Sequence, residues 1–284
     1  MTKEIEKKGG GRARKFSVLN LILVLAILGG FILLAYPSFS NWWNQRHQTR
    51  AVAGYVDQVA NLSDEENKKL WKAAKAYNAD LAKLPMHFEL SDQEQKIYDQ
   101  TLDVTGTGIM GYVQIPKIHV ELPIYHGTDP AVLEIAIGHI AGSSLPVGGK
   151  STHCVISGHR GLPSARLFTD LDKMTEGDTF MLQVLGRTLT YEVDQIRIVL
   201  PDEVDDLKIE KGKDYCTLVT CTPYGVNTHR LLVRGRRVAN DEGEFDVSAD
   251  ATQVQVRYTA PFIAGFIILI LILWWIATVL RKKL

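Results

Sequence analysis

The sequence predicts a mainly-β fold: a closed barrel of about eight strands with short helices, preceded by N-terminal helices and bracketed by a transmembrane helix at each end. Three observations carry this. Between Ile109 and Val238, β-branched and aromatic residues recur in short runs separated by Gly, Pro and Asn turn signals. Ahead of them, Ser63-Asp64-Glu65-Glu66 matches a helix capping box, and Ser91-Asp92-Gln93-Glu94 repeats the pattern. Two long apolar segments, 18–36 and 260–280, enclose the rest.

The elements follow in order. Residues 1–17 form a basic tail with Lys3, Lys7, Lys8, Arg12, Arg14 and Lys15 around Gly9-Gly10-Gly11. Residues 18–36 are apolar apart from Asn20; about 19 residues at 1.5 Å rise span about 28 Å, near the hydrocarbon thickness. The run ends in Tyr36, Phe39, Trp42 and Trp43, an interfacial aromatic belt rather than the small-residue cleavage site of a signal peptide. Residues 37–84 read as membrane-proximal helices, with Leu70, Ala73, Ala74, Tyr77 and Leu81 at helical spacing. Residues 85–108 are irregular, with room for a short capped helix through Tyr98 and a joint at Thr105-Gly106-Thr107-Gly108.

Strands are expected over 109–115, 118–125, 151–157, 179–185, 188–200, 215–221 and 230–238, with short helices over 131–140 and 167–174 and a hairpin turn at Gly186-Arg187. Residues 241–259 are an acidic linker, 260–280 the second span, and 281–284 a short basic tail containing Arg281, Lys282 and Lys283. The positive-inside rule puts both termini in the cytoplasm and the domain between the spans outside.

Composition narrows the function. The chain has 284 residues and a formal net charge of zero, which argues against a nucleic-acid binder. No Cys, His or Asp cluster has metal-ligand spacing, and Gly148-Gly149-Lys150-Ser151 lacks the earlier glycine of a phosphate loop. No cofactor or metal is expected. Of the three cysteines, Cys154 and Cys216 fall within strand-like runs and read as buried small hydrophobes; a disulfide between them would need adjacent strands.

Cys221 differs. It stands where a strand meets the loop opened by Pro223, and Arg230 begins the next strand nine residues on. A thiol acts as a nucleophile only as the thiolate, which needs a base or a cation nearby. His159, in Ser157-Gly158-His159-Arg160-Gly161, stands at the end of another strand. The competitors fit less well. His153 is six residues back along the same strand, about 20 Å away. His229 faces away from Arg230, His139 reads as structural, and His126 could line a cleft. Arg160 is the natural rival to Arg230, and its plainer reading is a surface or lid-contacting charge.

Thr217-Leu218-Val219-Thr220-Cys221 with Arg230 downstream and Gly158-His159-Arg160-Gly161 upstream resembles the sortases, the membrane-anchored cysteine transpeptidases of Gram-positive bacteria. The stretch Gly161-Leu162-Pro163-Ser164-Ala165-Arg166-Leu167-Phe168 and the C-terminal apolar segment resemble class C, the pilin-polymerising branch. The resemblance covers roughly residues 50–280 and implies a sortase-like barrel over 109–240. It also implies a catalytic set of Cys221, His159 and Arg230, and cleavage of an LPxTG-like C-terminal sorting signal through a thioacyl intermediate. The implied partners are pilin or surface-protein substrates, with a pilin lysine or a cell-wall peptide as acceptor. Class C relatives carry a lid with an Asp-Pro-aromatic anchor over the site. That triplet is absent from 85–108, where Leu84-Pro85-Met86-His87-Phe88 is the nearest stretch. A wall-anchoring sortase, a hydrolytic cysteine peptidase and a non-catalytic assembly factor on the same fold are the alternatives.

Overall fold

The computed structural model describes residues 18–84, 88–240 and 265. The basic tail at 1–17, the linker at 241–259 and the C-terminal tail at 281–284 lie outside the described residues, as does the span at 260–280 apart from position 265. The chain divides into two compact units; residues 39–249 form the one that contains the barrel.

Helix α1 runs from Val18 to Ala60 without a break and includes Pro37. The apolar segment and the first membrane-proximal helix are therefore one element. Its stretch from Leu25 on is long and apolar enough to cross a membrane, and Leu33, Leu34, Phe39, Trp42 and Trp43 are exposed. Helix α2 (Asp64–Leu81) and helix α3 (Asp92–Gln100) each begin with the capping box that the sequence announces. The Ser63 and Ser91 hydroxyls cap the Glu66 and Glu94 amides, and both Glu side chains reach back to the N-cap.

The barrel follows. Its strands are β1 (Ile109–Ile115), β2 (Val120–His126), β3 (Ile137–His139), β4 (Thr152–Ser157), β5 (Thr179–Val184), β6 (Arg187–Val199), β7 (Asp214–Thr222) and β8 (His229–Arg237). They close in the order β1-β2-β3-β4-β7-β8-β6-β5. Pairings are antiparallel except β2 with β3 and β4 with β7, which are parallel. The core holds Ile115, Ile124, Ile156, Phe168, Phe180 and Leu218, all buried.

Three local expectations are corrected. The helix expected over 131–140 is a single turn, α4 (Pro130–Leu133), followed by β3. Gly138 explains the change: a β-carbon there would stand 2.0 Å from the Gly127 carbonyl oxygen, so the backbones approach as only glycine allows. The helix expected over 167–174 shrinks to one 3-10 turn at Leu171–Lys173. The hairpin turn lies at Leu185-Gly186, with φ of 51° and 72°, the left-handed pair of a type I′ turn.

The helices are keyed to the barrel by polar side chains. Tyr55 Oη donates to the Met110 carbonyl at 3.1 Å and accepts from the Leu185 amide at 2.9 Å. Burial pushes its pKa up to about 12, so it stays a neutral phenol. Asn78 on α2 accepts from the Leu145 amide at 2.7 Å and donates to the Leu145 carbonyl at 3.0 Å. Leu145 lies in a buried loop; its carbonyl also accepts from the Val147 amide at 2.7 Å, so Asn78→Ala strands the Leu145 amide. We expect a loss of about 1–3 kcal/mol in urea unfolding of the detergent-solubilised chain. A loss below about 1 kcal/mol would mean that water replaces the side chain.

Candidate active site

Strands β7 and β8 bring a thiol and a guanidinium together. In their antiparallel register Cys221 lies opposite Arg230, at the end of both strands. The pleat sends alternate residues to opposite faces. Cys216, Leu218, Leu231 and Val233 point into the core. Val219 and Leu232 point outward, where with Val155 and Leu207 they form a second apolar cluster. Cys221 lies two residues beyond Val219, and Arg230 two before Leu232, so both continue this outer face.

Strand β4 delivers the histidine. It runs parallel to β7 with Ser157 opposite Val219, so both strands end at one rim and His159 emerges beside the end of β7. Two hydrogen bonds fix the approach. The Gly158 amide donates to the Val219 carbonyl at 3.0 Å, and Thr220 Oγ1 donates to the Gly158 carbonyl at 2.7 Å. A β-carbon at 158 would meet Ile137 Cγ2 at 2.7 Å and Phe168 Cδ2 at 2.8 Å. Glycine before the histidine is thus a packing requirement. Thr220 is the positioning residue that sequence reasoning missed. Its signal was a hydroxyl inside a buried strand, which needs a partner.

Exposure separates the three cysteines. Cys154 and Cys216 are buried and free, while Cys221 is half-exposed. Cys154 and Cys216 do lie on adjacent strands, opposite one another in register. Burial pushes the Cys216 thiol well up, which keeps it protonated. Neither core thiol is placed to meet a substrate.

The histidines divide in the same way. His139 is buried, with Nδ1 3.0 Å from Tyr98 Oη and Nε2 2.8 Å from the Ser144 carbonyl. His153 spans the Lys208 carbonyl at 2.9 Å and Thr217 Oγ1 at 2.7 Å, and burial lowers its pKa. His126 bonds the Gly108 and Thr101 carbonyls at 2.9 and 2.8 Å. His229 lies opposite Thr222, with Nδ1 2.9 Å from Thr228 Oγ1. The half-buried His159 imidazole makes no hydrogen bond among the described residues.

Arg230 is similarly open. Its Nη1 donates to the Asn227 and His229 carbonyls at 3.3 and 3.1 Å, and it makes no ion pair among the described residues. Arg160 is instead paired with Asp172, and its side chain is only 9% exposed. That overturns its reading as a surface charge. The outer apolar cluster also receives Phe88. Of the nearest stretch to a lid anchor, 85–87 lie outside the described residues, and Phe88 packs where a chain running along β7 would lie.

A thiol, an unpaired cation and a free imidazole at one rim suit acyl transfer. A Sortase-domain profile matches residues 113–238. The crystal structure of sortase C1 from Streptococcus agalactiae superposes with a TM-score of 0.66 at 55% identity, covering 68% of this chain and 100% of that one. The chain belongs to the sortase family. Sortases are cysteine transpeptidases, and the structural neighbours of this one are class C members. Clostridium perfringens sortase C, solved with the C-terminal cell wall sorting motif, superposes with a TM-score of 0.60 at 44% identity, covering 67% of this chain and 99% of that one. Sortase D of Bacillus subtilis is 33% identical over 131 residues, 45% of this sortase and 63% of that relative.

Accessibility gives a direct test. In the folded sortase, iodoacetamide should label Cys221 and leave Cys154 and Cys216 unmodified until denaturant is added. Phe88→Ala should speed Cys221 labelling about tenfold, the scale of removing one aromatic contact of about 1.4 kcal/mol. An unchanged rate would show that Phe88 does not restrict the thiol.

Proposed function

We propose that this sortase is a two-pass membrane enzyme that joins pilin subunits by isopeptide bonds, with Cys221, His159 and Arg230 as its catalytic residues. The observation that carries the proposal is that Cys221, the half-exposed cysteine, sits opposite an arginine that has no counter-ion among the described residues and beside the strand end that presents His159. The Cys221 thiolate attacks the carbonyl of a Thr in an LPxTG-like sorting signal. The C–N bond breaks, and His159 gives the leaving amine its proton. Arg230, permanently charged, stabilises the oxyanion or holds the peptide. A pilin lysine amine then attacks the thioester, His159 takes its proton, and sulfur leaves as the thiolate.

The class C likeness of the neighbours supports the pilin acceptor, as does the C-terminal apolar segment at 260–280. The apolar part of α1, followed by exposed Trp42 and Trp43, supports the anchor. With both spans in place, the barrel meets its substrates on the outer face of the cell membrane.

The test incubates the full-length sortase in detergent with a purified pilin that bears its sorting signal. Lysine-linked polymers are followed by gel and mass spectrometry. Cys221→Ala should lower polymer formation by roughly 10³-fold or more, and Arg230→Ala by about 10²–10³-fold, whereas Cys216→Ala should stay active. Cleavage without polymer would replace the pilin acceptor with a wall peptide or water. Full activity in Cys221→Ala would remove the mechanism.

A further inference from the structure

His159 lies between two side-chain ties to β7. Ahead of it, the Gly158 carbonyl accepts from Thr220 Oγ1 at 2.7 Å. Behind it, Arg160 Nη1 donates to Thr222 Oγ1 at 3.4 Å. Thr220 and Thr222 are the two chain neighbours of Cys221. The ties 158 to 220 and 160 to 222 therefore bracket His159 and Cys221. Alternate residues of a strand point to opposite faces, so both buried threonines work from behind the face that carries the thiol.

Arg160 is anchored like a core residue. It borders a groove of about 650 Å³ floored by Ile196, Ile198 and Leu231, yet its own side chain is nine-tenths buried. Nη2 pairs with Asp172, which stands in the 3-10 turn Leu171–Lys173, and Leu171 of that turn is fully buried in the main core. The guanidinium carbon lies 5.9 Å from the centre of the Tyr224 ring. The same ring closes on the next residue: a β-carbon at Gly161 would meet Tyr224 Cε2 at 3.0 Å. The His159 carbonyl accepts from the Phe168 amide at 3.1 Å. Stability alone does not select arginine here. Its Nε–H is buried without a partner among the described residues, which costs stability, and apolar groups often replace a buried ion pair without loss.

We propose that Arg160 is a positioning residue for the transfer reaction, holding His159 in reach of Cys221 through Thr222 and Asp172. The inference rests on the reading of Cys221 and His159 as catalytic and goes beyond it. The His159 imidazole has no hydrogen-bond partner among the described residues, so no side chain orients it directly. Its place follows from its backbone, which Gly158 fixes on one side and Arg160 on the other. Proton transfer is steep in distance, and a misplacement of 1 Å costs about 10²-fold in rate. Arg160 acts through His159 and not on the substrate. Its charge is offset by Asp172, so the imidazolium that forms at 159 does not face an uncompensated cation next door. Lysine cannot take over the task. A single ammonium lacks the planar fork that reaches Thr222 and Asp172 together.

The experiment uses the full-length sortase in detergent and a fluorogenic LPxTG peptide, with rates expressed per Cys221 titrated by iodoacetamide so that misfolded enzyme does not count. Arg160→Lys should lower kcat for fragment release about 10²-fold and Thr222→Val about tenfold, with KM within about twofold of wild type in both. Thr222→Ser restores the hydroxyl and should recover the wild-type kcat. A purely structural tie would lower the titratable fraction and leave kcat per active site unchanged. If wild type releases no fragment, or His159→Ala releases it as fast as wild type, the catalytic reading itself fails. If His159→Ala is impaired while Arg160→Lys and Thr222→Val keep the wild-type kcat, that reading stands and the positioning role is overturned. A rise in KM at constant kcat would make Arg160 a substrate-binding residue and overturn it too. So would a Thr222→Ser enzyme as slow as Thr222→Val.

Discussion

The register of β7 decides what the residues around the thiol can do. A slip of one residue against β8 would turn Cys221 inward, onto the face of Leu231 and away from Arg230, and bring Thr222 out. The same slip would carry the core residues Cys216 and Leu218 to the outer face, so the alternative register is strongly disfavoured. Packing enforces the observed one. Gly235 lies opposite Cys216, and a β-carbon there would meet Phe180 Cε1 at 2.7 Å and Tyr191 Cβ at 2.8 Å. Glycine belongs at that position of β8 and no neighbouring one. On the other side, the Gly158 amide and the Thr220 hydroxyl tie β4 to the same strand. One strand, held from both edges, therefore sets the place of all three candidate catalytic residues.

Closure of the barrel depends on the helices. Strands β1 and β5 pair over only Tyr112, Val113 and Gln114, the seam that completes the ring. Tyr55 bonds Met110 in β1 and Leu185 just after β5, and Asn67 donates to the Leu185 carbonyl at 3.0 Å. The helix that carries the apolar N-terminal segment thus also fastens the ring at its short seam.

Much of this was legible in the sequence, because strand ends and helix caps are local signals. Pro223 after Cys221 and Gly158 before His159 mark where strands stop, and that suffices to nominate the residues at the rim. What the sequence withheld depended on neighbours. Ile137-Gly138-His139 is too short to declare itself, and only its pairing with β2 and β4 makes it a strand. Cys154 and Cys216 gave no sign that they face each other, since parallel register cannot be counted along the chain. Arg160 looked like a solvated charge because nothing local shows that β7 and the turn at Asp172 enclose it.

The arginines of β8 show how a usable cation is left at one end of a sheet. Arg236 meets Glu192 at 2.8 Å. Arg234 makes a two-pronged bond to Asp194, at 3.0 and 3.2 Å, and lies 4.2 Å above the Tyr215 ring. Asp194 reaches it from the bulge in β6. Beyond that point β6 supplies Ile196, Ile198 and Val199 instead of acids, and Arg230 lies opposite Val199. The Asn227 and His229 carbonyls orient the guanidinium without cancelling its charge. A carboxylate at 199 would satisfy Arg230 and repel both a thiolate and an oxyanion. The change in β6 from acidic to apolar residues therefore does two things. On the outer face it leaves Arg230 without an ion pair among the described residues, and on the core-side face it leaves Ile196 and Ile198 to floor the groove beside Arg160.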